Sequence, residues 1–323
     1  MSNPVFPLFL GSGRSGTTVF RNVFDSHSEL AMTHEAHFVA QLAQQRSVYE
    51  TASGFDQELF AADLYRNSNF VRQGIERSSV EQRLRLDDVA TFADAVRCVF
   101  SLYAGAQDKR LYGDKTPGYV NHIELLAGIF PESKFVHIIR DGRDVALGYL
   151  DRDEWGPSTV AEAALYWRSR VSRGRDAGRS IGENRYIEVR YEDMVDDPEF
   201  TTRRVCSFLG LDFEPAMLQF HEKGEAFIAS SNTPEAFAGL AKPITKGMRD
   251  WRTQMANDDV ALFEVIAGDL LDSLGYETVS DSPSSALRIR ARWAAAAWQA
   301  RRLEARLQPM IKKLRDRMTA GRT

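Results

Sequence analysis

The 323-residue sequence has only two cysteines, Cys98 and Cys206. That is too few for a disulfide framework, and each sits in a helix-like apolar stretch (AVRCVF, RVCSFL). Such settings predict two reduced core thiols rather than a disulfide or a metal pair, and a cytoplasmic location. No apolar run approaches the roughly 18 residues that a membrane span needs. Met1–Leu10 lacks a basic segment leading into a long apolar one, so no signal peptide is expected. The HEAH stretch, His34–His37, is one residue short of H-E-x-x-H zinc spacing, so no metal site is expected.

What remains is ordinary soluble globular composition, with 43% hydrophobic and 27% charged residues, in a chain long enough for one large or two ordinary domains. The net charge of −4 is unevenly spread. Ser282–Thr323 holds 11 Lys and Arg against Glu304 and Asp316, a local balance of +9 that leaves −13 on the rest. The tail therefore reads as a separate unit.

One further lack is local. Leu8–Thr18 (LFLGSGRSGTT) runs from an apolar strand through a glycine-rich turn into a helix, as in nucleotide kinases. Thr17 stands where the motif G-x-x-x-x-G-K-[ST] needs lysine. Gly11, Gly13 and Gly16 let backbone N–H groups converge on an anion at a helix start. Arg14 adds charge, and Ser15, Thr17 and Thr18 add hydroxyls. Kinase chemistry also needs an acid holding a metal at a second strand end. Glu35, Asp114, Asp141 and Asp193 are the candidates, and the basic residues Lys115, Arg140 and Arg143 stand beside or near Asp114 and Asp141, which suits an anion better than Mg²⁺.

Strands are expected at Val5–Leu10, Phe135–Ile139 and Tyr186–Arg190, with shorter ones at Glu29–Met32 and Arg110–Tyr112. Their alternation with helices predicts a parallel sheet covered on both faces, its ligand beyond the carboxyl ends of the strands. GSGRSGTT, THEAH, GDKTP, RDGRD and YED then face one crevice. Residues 38–108 read as a helical insertion, a lid or substrate-facing wall. Asp258–Leu274 reads as a helix and 280–285 as a linker. In the tail, Ala286–Leu307 is a strong helix former, interrupted at Pro309 and resumed to about Met318.

Three segments in order, LFLGSGRSGTTVFRNVFDSHSEL, FVHIIRDGRDVALGYL and YIEVRYEDM, resemble sulfotransferases that use 3′-phosphoadenosine-5′-phosphosulfate (PAPS). The branch containing tyrosylprotein sulfotransferases and many bacterial enzymes looks most similar, and the resemblance runs from about Pro4 to Glu277. It implies an α/β fold: a P-loop-like three-layer α/β/α domain over residues 1–279 with a central parallel sheet, the helical insertion and the helical tail. It implies PAPS as donor, PAP as product and no metal. Gly13, Arg14, Ser15, Gly16, Thr17 and Thr18 correspond to the 5′-phosphosulfate loop, which needs no lysine because PAPS carries no polyphosphate–Mg²⁺ unit. Arg140 corresponds to a forked donor to the 3′-phosphate. Gly148 stands where the family usually has a serine in that site, and Arg152 occupies a further phosphate-contact position. Tyr191 corresponds to a tyrosine beside the adenine, and Lys246 with Ser231 to the segment folding over the nucleotide, where Arg249 competes.

By the same resemblance Glu35 is the general base, with His34 and His37 as histidine alternatives. Lys115 contacts the bridging oxygen, Asp114 orients it, and Arg14 shares the developing charge. The acceptor is a small-molecule, carbohydrate, lipid or peptide hydroxyl or amine. A P-loop small-molecule kinase and a non-catalytic PAP(S)-binding protein are the rival readings. The basic tail interleaves Arg and Lys with Trp and Leu. It reads first as a solvated helix packed against its own or a sister protomer, and second as a peripheral contact with an anionic membrane. An acidic main body argues against nucleic acid.

Overall fold

A computed structural model describes residues 3–151, 156–223, 249–280 and 283–320. Cα packing divides the chain into two units, Met1–Arg140 with Arg170–Met248 and Asp141–Ser169 with Arg249–Thr323.

The first unit is built on the expected sheet. The first apolar run forms β1 (Phe6–Gly11), all six residues buried, as a strand covered on both faces requires. The chain continues through α1 (Thr17–Asp25) to β2 (Leu30–His34). Residues 38–108 are helical as read: α2 (Phe38–Ala43), α3 (Gln57–Arg66), α4 (Ser68–Val71), α5 (Arg77–Leu86) and α6 (Phe92–Gly105). A short antiparallel ribbon, β3 (Glu50–Thr51) with β4 (Gly54–Phe55), interrupts them. After β5 (Leu111–Lys115) come α7 (Ile123–Ile129) and β6 (Ser133–Ile139). Then α8 (Gly142–Leu150) and α9 (Val160–Ile181) lead to β7 (Tyr186–Arg190), α10 (Tyr191–Asp196) and α11 (Pro198–Leu209).

The five-stranded sheet is parallel throughout, in the order β2-β5-β1-β6-β7. Strand alternation splits its side chains between two cores. Phe6, Leu8, Leu10 and Tyr112 meet α2–α7 on one face. Phe9, Met32, Val136 and Ile138 meet α1, α10 and α11 on the other. The 38–108 segment supplies much of the first core, including Phe38, Tyr49, Phe60, Leu84 and Phe92, so it is a packed layer of the fold. Cys98 and Cys206 are free and buried, and burial pushes both thiols up to about 12.

Two expectations are corrected. The GDK of GDKTP is the end of β5 itself, not a loop after it, because β2 pairs with it as far as His34↔Lys115. The tail is one helix, Ser285–Ala320, running through Pro309. A proline removes one backbone hydrogen bond and can bend a helix, but the Ala-, Leu- and Arg-rich flanks propagate past it.

The second unit packs α8 and the first ten residues of α9 with Asn257–Ser273 and the tail helix. Gly142 opens α8 with Phe263 and Trp167 directly against its Cα. Arg143, wholly buried, donates to both Asp141 oxygens, to Glu264 at 2.6 Å and to the Glu277 carbonyl, and lies 3.6 Å from the Trp251 ring centre.

Candidate functional site

The glycine loop follows β1 and ends at Gly16, which caps α1 in the left-handed region (φ 82°). A Cβ at this position would run into the Tyr191 ring. Glycine is thus required twice, by its dihedral and by its neighbour. Arg14 also has positive φ (69°), a conformation sparsely populated by arginine. Ser12 and Ser15 are buried, and among the described residues neither hydroxyl has a hydrogen-bond partner. Two orphaned hydroxyls beside a helix N-terminus are donors arranged for an anion. Thr17 is buried at the start of α1, and Gly13, Arg14 and Thr18 are half-exposed.

A charged cluster lies at the ends of β5 and β2, the next two strands of the sheet. Lys115, at the end of β5, is wholly buried, and its Nζ donates to Glu35 Oε1 at 2.7 Å. The same ammonium lies 3.4 Å from Thr18 Oγ1 and 3.4 Å from His34 Nε2. Glu35 leaves β2 in a left-handed conformation (φ 52°). Its N–H bonds the Lys115 carbonyl at 2.9 Å, and its Oε2 is 3.2 Å from His37 Nε2. The carboxylate is about one-third exposed, so it can be reached from outside.

Burial alone pushes the Glu35 carboxyl upward, but the Lys115 ammonium and the two histidines outweigh it and hold the group well below the usual carboxylate range. Burial, followed by the charge of Lys115, pushes His34 down to about 3. His34 is therefore neutral at physiological pH.

Asp114 does not orient Lys115. Successive strand residues face opposite sides, and its carboxylate accepts from Thr33 Oγ1 at 2.6 Å, Thr116 Oγ1 at 2.8 Å and the Ala36 N–H at 3.2 Å. Complete burial raises its pKa against those hydrogen bonds. Its structural effect is to clamp the turn that carries Glu35 from both ends. The sequence offered a hint, since β2 and β5 each end in a polar pair, but not the partner.

At the other side of β1, the Arg140 guanidinium stacks 4.6 Å from the Tyr191 ring centre. Tyr191 is in turn the residue against Gly16. Arg140, Tyr191 and the loop therefore adjoin within one unit. Gly148 is buried on α8 in the other unit. Arg249, the competitor of Lys246, pairs with Asp151 at 3.2 Å. Arg152, Ser231 and Lys246 lie outside the described residues.

With this geometry in place, two family models match. One described as the sulfotransferase family covers residues 7–215, and a sulfotransferase domain model covers residues 167–275. Protein-tyrosine sulfotransferase A of Caenorhabditis elegans is 22% identical, over 86% of this chain and 69% of its own length. Nodulation protein NoeE of Sinorhizobium fredii is 26% identical, over 86% of this chain and 68% of its own length. Among solved structures, the sulfotransferase domain of the Synechococcus olefin synthase superposes with a TM-score of 0.60. It is 23% identical and covers 86% of this chain and 97% of that one.

Proposed function

The chain belongs to the sulfotransferase family, and from that premise we propose that it moves a sulfuryl group from PAPS to a hydroxyl or amine acceptor, releasing PAP. The observation that carries this reading is the 2.7 Å Lys115–Glu35 pair, with Thr18 of the glycine loop 3.4 Å from the same ammonium. The orphaned Ser12 and Ser15 hydroxyls fit the donor's phosphosulfate end.

In this reading Gly13, Arg14, Ser15, Gly16, Thr17 and Thr18 hold the 5′-phosphosulfate. Arg140 faces the 3′-phosphate and Tyr191 the adenine. Family correspondence extends the donor set to Gly148, Arg152, Ser231 and Lys246. Bound PAPS supplies a sulfuryl group activated by a phosphate leaving group. The new bond forms from sulfur to the acceptor oxygen or nitrogen, the S–O bond to phosphate breaks, and the acceptor proton passes to Glu35. Lys115 and Arg14 meet the charge that grows on the leaving oxygen.

Lys115 also couples the two halves of the step. Its hold on Glu35 keeps the carboxylate ionised before the reaction. As the ammonium turns its charge to the leaving oxygen, that hold weakens, and burial strengthens the proton affinity of Glu35. The base becomes stronger as it is needed.

The test pairs binding with turnover. PAP should raise the melting temperature where ATP–Mg²⁺ does not, and labelled PAPS should transfer label to an acceptor in a panel of small molecules, sugars, lipids and peptides. Turnover of ATP–Mg²⁺ without PAP binding would establish the kinase reading. PAP binding without transfer to any acceptor would leave a PAP(S)-binding protein.

A further inference from the structure

The tail helix Ser285–Ala320 has two apolar sides, and among the described residues only one is packed. Leu287, Ala291 and Ala294 pack with Leu262, Val265 and Ile266, and Trp298 lies edge-on to Tyr166. On the opposite side Ile289, Trp293, Leu303 and Leu307 are 54%, 73%, 59% and 42% exposed. With exposed Ala296 and Ala300 between them, these positions repeat at four- and three-residue steps and fall within an arc of roughly 80° at 100° per residue. A single exposed leucine needs no explanation, but a straight stripe with a tryptophan at 73% exposure does.

The margins of the stripe select what covers it. Arg290 projects on one side and Arg288 and Arg292 on the other, all exposed; Arg302, nearer the packed side, bonds Ser169 at 3.3 Å. Arg301 is paired with Glu162 at 2.6 Å. Over Ser285–Ala320 there are 10 Lys and Arg against 2 acids. Pairing two copies of the helix along the stripe would press these cationic margins together, with two alanines weakening the seam. An anionic bilayer surface reverses that electrostatic sign: the stripe enters the headgroup boundary while the arginine stems reach up to lipid phosphates on both sides.

We propose that the exposed face of the tail helix docks this protein on anionic lipid, lying in the plane of the membrane surface. No helix of the described residues is long and apolar enough to cross a membrane, and this contact needs none.

The test is flotation of the full chain with extruded vesicles, of phosphatidylcholine alone or with about 30% phosphatidylglycerol. The expected result is at least tenfold stronger partitioning onto the anionic vesicles, weakened by salt, with a blue shift in tryptophan emission. Trp293→Ser with Leu303→Ser should lower that partitioning at least tenfold without changing the melting temperature. Should that variant lose stability, Arg290→Glu with Arg292→Glu gives the same readout without touching an apolar residue. Equal partitioning onto both vesicle types, or anionic binding that survives both variants, overturns the proposal. So does a lipid-free, concentration-dependent dimer that Trp293→Ser abolishes, which would assign the stripe to self-pairing.

Discussion

Lys115 Nζ and Glu35 Oε1 are 2.7 Å apart, the ammonium wholly buried and the carboxylate about one-third exposed. Lys115 holds the Glu35 carboxyl below the usual carboxylate range, and Glu35 is the ion-pair partner of the buried ammonium. Breaking such a pair from one side leaves an unpaired buried charge.

Glu35→Gln keeps the shape of the turn and removes the proton acceptor. Sulfuryl transfer should fall by about 10²- to 10⁴-fold, while PAP affinity, measured by titration calorimetry, stays within a few-fold. Transfer at the wild-type rate would remove Glu35 from the mechanism.

Asp114→Ala should act at a distance. It removes the acceptor of the Thr116 hydroxyl and the Ala36 N–H and leaves Thr33 only the Gly113 carbonyl at 3.3 Å, which predicts a loss of about 2–4 kcal/mol in urea unfolding. Because the turn carrying Glu35 loses its clamp, kcat should drop with little change in the KM for PAPS. Asp114→Asn, which can still accept from Thr33 and Ala36, should recover most of both. A variant that lost stability alone would confine Asp114 to the fold.

Gly16→Ala meets two obstacles, the left-handed dihedral and the Tyr191 ring. The dihedral alone costs about 1–2 kcal/mol, and displacing the ring disturbs the Arg140 stack. PAP binding should weaken by at least tenfold. Adding Tyr191→Ala removes the clash but not the dihedral, so rescue of stability should be partial. Full rescue would mean that φ is unimportant here.

Burial pushes His34 and His137 each down to about 3. Both are neutral in the folded protein and near 6.5 when unfolded, so the unfolded state binds more protons between those limits. Stability from these two groups is complete above about pH 6.5 and is lost as pH falls toward 3, with a slope of about 1.4 kcal/mol per pH unit per histidine. His137 is bonded to the Tyr186 hydroxyl at 2.6 Å, away from the cluster around Lys115. His137→Gln should therefore reduce the slope of urea stability between pH 4 and 6 without changing transfer. An unaltered slope would contradict the assignment.

Much of this was legible in the sequence because it depends on local pattern. Apolar runs placed all five sheet strands to within a few residues, and the glycine loop showed its strand-to-helix setting directly. Lys115 and Glu35 could be named but not joined, since their approach depends on β2 lying beside β5, a pairing 80 residues apart in sequence. The same dependence misassigned Asp114, whose partners lie across the strand pair. The ring contact of Tyr191 with Gly16 left no trace in either motif. Nothing in the RDGRD setting of Arg143 pointed to its partner Glu264, which is 121 positions away. The break expected at Pro309 failed because helix propagation depends on the flanking residues as well as on the proline.

The Thr33↔Asp114 and His34↔Lys115 register has a consequence for how this chain can change. β5 works as a partition, with the acid that braces the turn on one side and the cation paired with Glu35 on the other. The order of two adjacent letters decides which side receives which. Swapping them, Asp114→Lys with Lys115→Asp, conserves composition, net charge and strand length, yet it turns a cation toward the clamp and an anion toward Glu35. Inserting one residue before β5 does the same to the whole strand. Length changes should therefore be tolerated in the exposed 51–54 ribbon turn and rejected in the few residues that lead into Leu111.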